Sequence, residues 1–392
     1  MSQALRHVDP MGIYDTLFRF RNATNLYMGD PGTNPWSQGF PLTTKLEQGA
    51  IIPSDLNFNS KDLLYPKPWG EMQLREAIAA HYQDTYGATI TAENVMVFPG
   101  GRPGLNAVMQ LCDKKYTWLV EETEYTPYYD MFEFHNCKYS IVQSNEENNF
   151  RPSIKDYEAA APNKEVMLLR SNPLNPTGVT WSGKELQDAV NFALEHGGLF
   201  DEAYELFVDP EPESALRFVK DINNTNIFVV GAATKWLQVP GARLGWIICS
   251  KRNVEIFGNY ATFALGGVSK LSQLLATKLL DRERMKQVKL GVPAHYNLQR
   301  KRYDELLSSL GVHVATGNGG FYSWGKLPGK MTADQFNEKL FKHNAAILPG
   351  RLCDMLRREE KSPLAQWFRL SFGCLEQNSF EKDAEILKSV LA

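Results

Sequence analysis

From about residue 70 to about residue 285, short β-type runs alternate with stretches whose apolar positions recur at helical spacing. The runs predict strands at Val95–Phe98, Thr117–Glu121, residues 139–143, 166–170 and 199–201, Ile227–Ala232 and residues 244–250, each bounded by turn residues or a helical pattern. Strands alternating with helices imply a mostly parallel seven-stranded sheet covered on both faces, an α/β/α sandwich of the α/β class. The run at 199–201 must be very short. It follows a helical pattern over 182–196 after only a Gly197-Gly198 break.

Beyond this core the pattern changes. A long charged helical region covers about 281–310, followed by β-type runs at 312–315 and 321–326 and a closing helix from about Ser379. The first forty-odd residues, rich in Asn, Gly and Pro over 28–37, read as an irregular arm that must pack on something larger. The expected organisation is an arm at 1–45, a large domain at 46–285 and a smaller α+β domain formed by the arm together with 286–392.

A chain of 392 residues with 43% hydrophobic and 22% charged residues falls among ordinary globular proteins, and a net charge of −3 gives no nucleic-acid footprint. Anionic ligands remain compatible, because one pocket can concentrate basic groups that the whole chain averages away. The five cysteines are scattered and never spaced C-x-x-C, as expected of thiols in a reducing compartment, and no residues are assigned to a metal. The amino terminus lacks a basic flank with an apolar stretch, and no apolar run reaches the roughly 18 residues of a membrane span. A cytoplasmic protein without membrane contact is the expectation.

The candidate chemistry begins at Lys235, within Ala232-Ala233-Thr234-Lys235-Trp236-Leu237-Gln238-Val239-Pro240-Gly241-Ala242-Arg243-Leu244-Gly245, just past the run Ile227–Ala232. The end of a buried strand is a rigid, partly desolvated place, which lowers a lysine pKa toward the neutral amine a nucleophile needs. A loop lysine taken alone is common and mostly inert. Its company changes the reading: Asp201-Glu202-Ala203-Tyr204 and Asn172-Pro173-Leu174-Asn175-Pro176-Thr177-Gly178 also follow predicted strands, and open parallel sheets bind ligands at those ends.

These residues resemble the class I/II aminotransferases, the aspartate-aminotransferase-like fold-type I enzymes that use pyridoxal 5′-phosphate (PLP), and the resemblance spans nearly the whole chain. It implies that Lys235, spaced from Gly241, Arg243 and Gly245 as in the family, carries the cofactor as a Schiff base, with Thr234 beside it. It implies that Asp201 pairs with the pyridine nitrogen and that Tyr204 and Asn175 hydrogen-bond the ring 3-oxygen. Pro99-Gly100-Gly101-Arg102-Pro103-Gly104 is similar to the phosphate turn at a helix start, where Gly100, Gly101 and Arg102 would act with Arg243. Glu122-Thr123-Glu124-Tyr125-Thr126-Pro127-Tyr128 resembles the segment that stacks an aromatic on the ring, pointing to Tyr125, with Tyr128 second.

Tyr65, in Leu64-Tyr65-Pro66-Lys67-Pro68-Trp69-Gly70, would by the same resemblance reach the cofactor phosphate of a partner subunit, so a homodimer with shared sites is implied. Arg369, in Trp367-Phe368-Arg369-Leu370-Ser371, would grip the substrate α-carboxylate. Asn25-Leu26-Tyr27-Met28-Gly29-Asp30-Pro31 resembles the substrate-side loop, which names Gly29, and Gly319-Gly320-Phe321-Tyr322 resembles a small-domain strand. The implied activity is transfer of an amino group between an L-amino acid and a 2-oxo acid. Elimination, replacement or cyclisation on the same fold is the alternative, and a non-catalytic PLP-binding regulator a remote one, disfavoured because no basic DNA-binding segment precedes residue 40. Three departures stand out. Ala232 replaces a usual phosphate-binding serine, Arg102 replaces a small hydroxyl or amide residue in the turn, favoured as an added phosphate contact, and the link from helix to Asp201 is trimmed.

Overall fold

The computed structural model of the chain describes residues 4, 5 and 7–391. Its large sheet comprises β1 (Val95–Phe98), β2 (Thr117–Glu121), β3 (Lys138–Val142), β4 (Val166–Ser171), β5 (Gly198–Asp201), β6 (Ile227–Ala232) and β7 (Gly245–Ile248), in the order β1-β7-β6-β5-β4-β2-β3. Only β7 is antiparallel to its neighbours. Each of the seven predicted strands is present, with ends shifted by no more than three residues. Apart from the edge strand β3 and Phe228 in β6, every strand residue is buried, as expected for a sheet covered on both faces.

The helices are α1 (Ile13–Thr24), α2 (Met72–Tyr86), α3 (Gly101–Leu111), α4 (Pro127–His135), α5 (Ile154–Ala160), α6 (Gly183–His196), α7 (Lys251–Ala264), α8 (Lys270–Leu279), α9 (Arg282–Ser309), α10 (Ala333–Phe341) and α11 (Phe380–Leu391). Helix α6 shows how the trimmed link works. Its buried stripe, Leu186, Ala189, Val190 and Ala193, follows helical spacing, and Gly197 ends it with φ +131°. A Cβ at Gly197 would lie 2.3 Å from the Met167 sulfur, so only glycine lets the helix turn straight into β5 against β4. The strand is four residues long, yet Asp201 still sits at its end.

A second, antiparallel sheet, ordered β10-β11-β9-β8, holds β8 (His313–Val314), β9 (Tyr322–Lys326), β10 (Leu348–Pro349) and β11 (Trp367–Ser371). The amino-terminal arm is less irregular than expected, since α1 gives it twelve helical residues, with Phe20 packed against Phe341 of α10. The stretch after it is tied to β11: the Ser371 amide donates to the Trp36 carbonyl, and the Leu42 amide to that of Gly373, both at 2.7 Å. No helix among the described residues is long and apolar enough to cross a membrane.

Candidate active site

The carboxyl ends of β1, β4, β5 and β6 share one edge of the large sheet, and the start of the reversed strand β7 lies there too. Gly101 and Arg102 follow β1, Ser171 and Asn175 lie at and past the end of β4, Asp201 ends β5, Thr234 and Lys235 follow β6, and Arg243 precedes β7. With Arg369 from β11 they line a single cavity of about 360 Å³, a size suited to a small organic ligand.

Lys235 lies at the floor of that cavity, its Nζ donating to the Gly39 carbonyl and standing 5.2 Å from the centre of the Tyr204 ring. Burial lowers its pKa from the ordinary 10.5 to about 7, Arg369, Arg102 and Arg243 push the same way, and Asp201 opposes them. The amine is therefore close to half neutral at neutral pH. That is the state a nucleophile or proton acceptor requires.

Asp201 accepts from the Tyr128 hydroxyl at 2.9 Å and from the Ala203 amide at 3.1 Å. Burial still raises its pKa above the usual carboxylate value, so the hydrogen bonds and Lys235 do not fully offset desolvation. A cation on the cavity side would complete the site, and a protonated ring nitrogen would supply one. Glu124, also buried behind the cavity, is pushed up to about 8 by desolvation. Tyr128, the second candidate for stacking, is instead fully buried on Asp201 and on Ser171, 3.0 Å away.

Arg369 is buried and borders the cavity. Nη1 donates to Asn175 Oδ1 at 2.7 Å, Nη2 to the Ser37 carbonyl at 2.8 Å, and the guanidinium lies 4.3 Å from the centre of the Tyr322 ring. Its Nε and the Ser37 hydroxyl are buried without partners among the described residues. Orphaned donors beside a cavity are costly unless a ligand answers them, and a carboxylate matches this planar fork.

The turn after β1 has the form of an anion cradle. Gly100 adopts φ +113°, no side chain caps the start of α3, and a Cβ at Gly100 would lie 2.7 Å from Arg243 Nη2. A helix start with uncapped N–H groups beside an arginine fits a phosphate. Ala232 lines the cavity and adds no hydroxyl, while Thr234 does. Arg102 lines the cavity as well, and its Nε donates to the Tyr125 hydroxyl at 3.0 Å.

Ten of the sequence-derived residues thus line one cavity: Gly101, Arg102, Tyr125, Asn175, Asp201, Tyr204, Thr234, Lys235, Arg243 and Arg369. Gly100 forms the turn behind them. Tyr65 lies outside the cavity, 94% exposed, and Gly29 is exposed on a turn away from it. The glycine of the amino-terminal arm that lines the cavity is Gly39. Residues 29–31 and 39–41 both read Gly-x-Pro, and only the path of the chain separates them. Sequence reasoning also passed over Tyr322 and the α1 side chains Ile13, Tyr14 and Leu17, which form the outer wall. The helical spacing of Ile13, Leu17 and Phe20 was the signal available for α1.

The family model for aminotransferase class I and II matches residues 36–385. An aspartate aminotransferase of Pyrococcus horikoshii is 24% identical over 290 residues, 72% of this chain and 73% of that protein. Transaminase BacF of Bacillus subtilis is 26% identical over 294 residues, 71% of each. Among solved structures, aspartate aminotransferase from Thermus thermophilus with maleate superposes with a TM-score of 0.82 at 19% identity, covering 99% of this chain and all of that one. Substrate-bound BacF gives 0.81 at 21%, covering 98% and 96%. The chain belongs to the class I and II aminotransferase family, whose enzymes work with PLP.

Proposed function

We propose that this enzyme moves an amino group between an L-amino acid and a 2-oxo acid, with PLP held covalently at Lys235. The convergence of a desolvated lysine, a buried acid and two arginines on one cavity supports this reading most directly. In it, Gly100, Gly101, Thr234 and Arg243 would bind the phosphate, Asp201 would hold the proton on the ring nitrogen, Asn175 and Tyr204 would hydrogen-bond the ring oxygen, and Tyr125 would stack on the ring. The bound ring supplies an electron-withdrawing π-system that stabilises negative charge at the substrate Cα.

Arg369 takes the substrate carboxylate through its fork and so fixes which Cα bond faces Lys235. With the cofactor passed to the substrate amine, Lys235 Nζ would take the Cα proton as general base, burial having brought its pKa down to about 7 so that a large fraction is neutral at that pH. Asp201, ionised once a cation faces it, would keep the ring nitrogen protonated. The wall built by Ile13, Tyr14 and Leu17 limits water at the reacting carbon. Exposed Tyr65, next to exposed Leu63 and Leu64, supports pairing with a second copy whose phosphate site it would complete.

The test is a single half-reaction. PLP-loaded protein is mixed with a panel of amino acids without acceptor, and both cofactor absorbance and products are followed. The expected result is one equivalent of 2-oxo acid per site with matching loss of the PLP band, and no reaction in Lys235→Ala. Continuous ammonia release beyond one equivalent would replace the transfer reading with elimination.

A further inference from the structure

Tyr322 has no role so far, yet it stands between the two ends of the site. Its ring lies against the Arg369 guanidinium, and its hydroxyl is in hydrogen-bond contact with that of Tyr204, its one hydrogen-bond partner among the described residues. Both phenols are buried. Neighbours constrain the pair from several sides: Phe321 packs edge-on against both rings, and a Cβ on Gly39 would already touch the Tyr322 hydroxyl at 3.0 Å.

We propose that Tyr322 is a positioning residue that acts through Tyr204, the two phenols forming a relay that aims and strengthens the Tyr204 hydrogen bond to the cofactor ring oxygen. This rests on the PLP reading above. The argument is a count of protons. Tyr204 has one hydroxyl hydrogen, and donating it to a ring oxygen leaves its own oxygen as the only acceptor facing Tyr322, which must then be the donor. A hydroxyl that receives a hydrogen bond is a better donor, so the relay favours negative charge on the ring oxygen. Arg369, across the Tyr322 ring, holds that ring through cation–π attraction.

Stabilising the ring oxygen as an anion lowers the affinity of the lysine-linked cofactor for a proton, so the relay is readable as the pH at which the bound cofactor changes absorbance. The groups that bear on this titration are Asp201, Arg102, Arg243, Arg369, Tyr125 and Cys353, from both sheets and the surrounding loops. All six are retained in Tyr322→Phe and Tyr204→Phe, so their fields largely cancel in the comparison. The experiment titrates the absorbance of PLP-loaded wild type, Tyr322→Phe, Tyr204→Phe and the double variant.

Tyr322→Phe is expected to raise the midpoint by about 0.3 to 0.5 unit, the scale of cooperative strengthening of one charge-assisted hydrogen bond. Tyr204→Phe should raise it further, and the double variant should match Tyr204→Phe alone, because the proposed relay reaches the ring through Tyr204. A wild-type midpoint in coloured Tyr322→Phe protein, or shifts that add in the double variant, would overturn the relay while leaving the PLP reading intact. Wild-type protein that takes up no PLP would overturn both.

Discussion

The lowered pKa of Lys235 is a statement about stability as well as reactivity. Between pH 7 and 10.5 the unfolded chain holds a proton on this lysine that the folded, cofactor-free protein has shed, so stability rises with pH across that window and falls as pH drops toward 7. The burial penalty is about 4 kcal/mol at pH 7, about 2 kcal/mol at pH 9 and near zero above 10.5, taking 1.36 kcal/mol per pKa unit. Replacing Lys235 by Met removes the charge and keeps most of the volume. It also leaves the Gly39 carbonyl without its donor, a loss of about 1–3 kcal/mol that does not depend on pH. The informative quantity is therefore the slope. Denaturant midpoints of the cofactor-free wild type and Lys235→Met should differ most in favour of Met at pH 7, and the difference should shrink by about 2 kcal/mol by pH 9. Other titrating groups are common to both proteins and cancel. A difference that stays constant from pH 7 to 10 would mean that the amine titrates like a solvated lysine, and the desolvated floor inferred for the cavity would be wrong.

Two further outcomes follow from contacts in the site. Gly245→Ala would place a Cβ 2.5 Å from the Gly101 nitrogen and 2.6 Å from the Gly100 carbonyl carbon, so overpacking of about 1–3 kcal/mol should weaken PLP binding roughly tenfold. Fluorescence titration with PLP and with phosphate-free pyridoxal checks this, and equal losses for the two would move the phosphate site off the turn. Arg369→Lys exchanges a planar fork for a point charge and should raise the KM of the amino donor roughly tenfold or more. An unchanged KM in steady-state assays would assign the carboxylate to another residue.

The strands were legible because their composition and turn boundaries are local, and the motif residues because a strand end fixes where the next few side chains go. Asp201 and Lys235 needed no more than that. Gly39 and Tyr322 needed the path of the chain. The arm reaches the cavity only because backbone bonds tie residues 36–42 to β11, a strand more than three hundred positions away. Gly29 shares its Gly-x-Pro pattern with Gly39, so no local signal could choose between them. Tyr128 was ambiguous for a related reason. Three positions after Tyr125, at the start of a helix, it occupies an aromatic position that suits either a ring face or a buried acid, and only its hydrogen bond to Asp201 decides. Arg102 reads as a phosphate contact from its turn, and its Nε also donates to Tyr125, a contact no spacing reveals.

The reversed strand β7 explains why residues so far apart in the chain converge. In a wholly parallel sheet, the segment leading into a strand lies at the edge opposite its carboxyl end, so Arg243 and Lys235 would sit on opposite sides. Because β7 runs backward between β1 and β6, Gly245 pairs with Phe98 on one side and Ala232 on the other. Three chain segments therefore meet at one point: the glycine turn after β1, the lysine loop after β6 and the arginine before β7. The missing side chain at Gly245 lets the turn close onto that junction, and the left-handed conformation of Arg243, φ +49°, turns the chain from the loop into the strand. Anion binding and amine chemistry are thus neighbours by topology. Side-chain substitutions such as Ala232 can alter the strength of the proposed phosphate site without moving its position relative to Lys235.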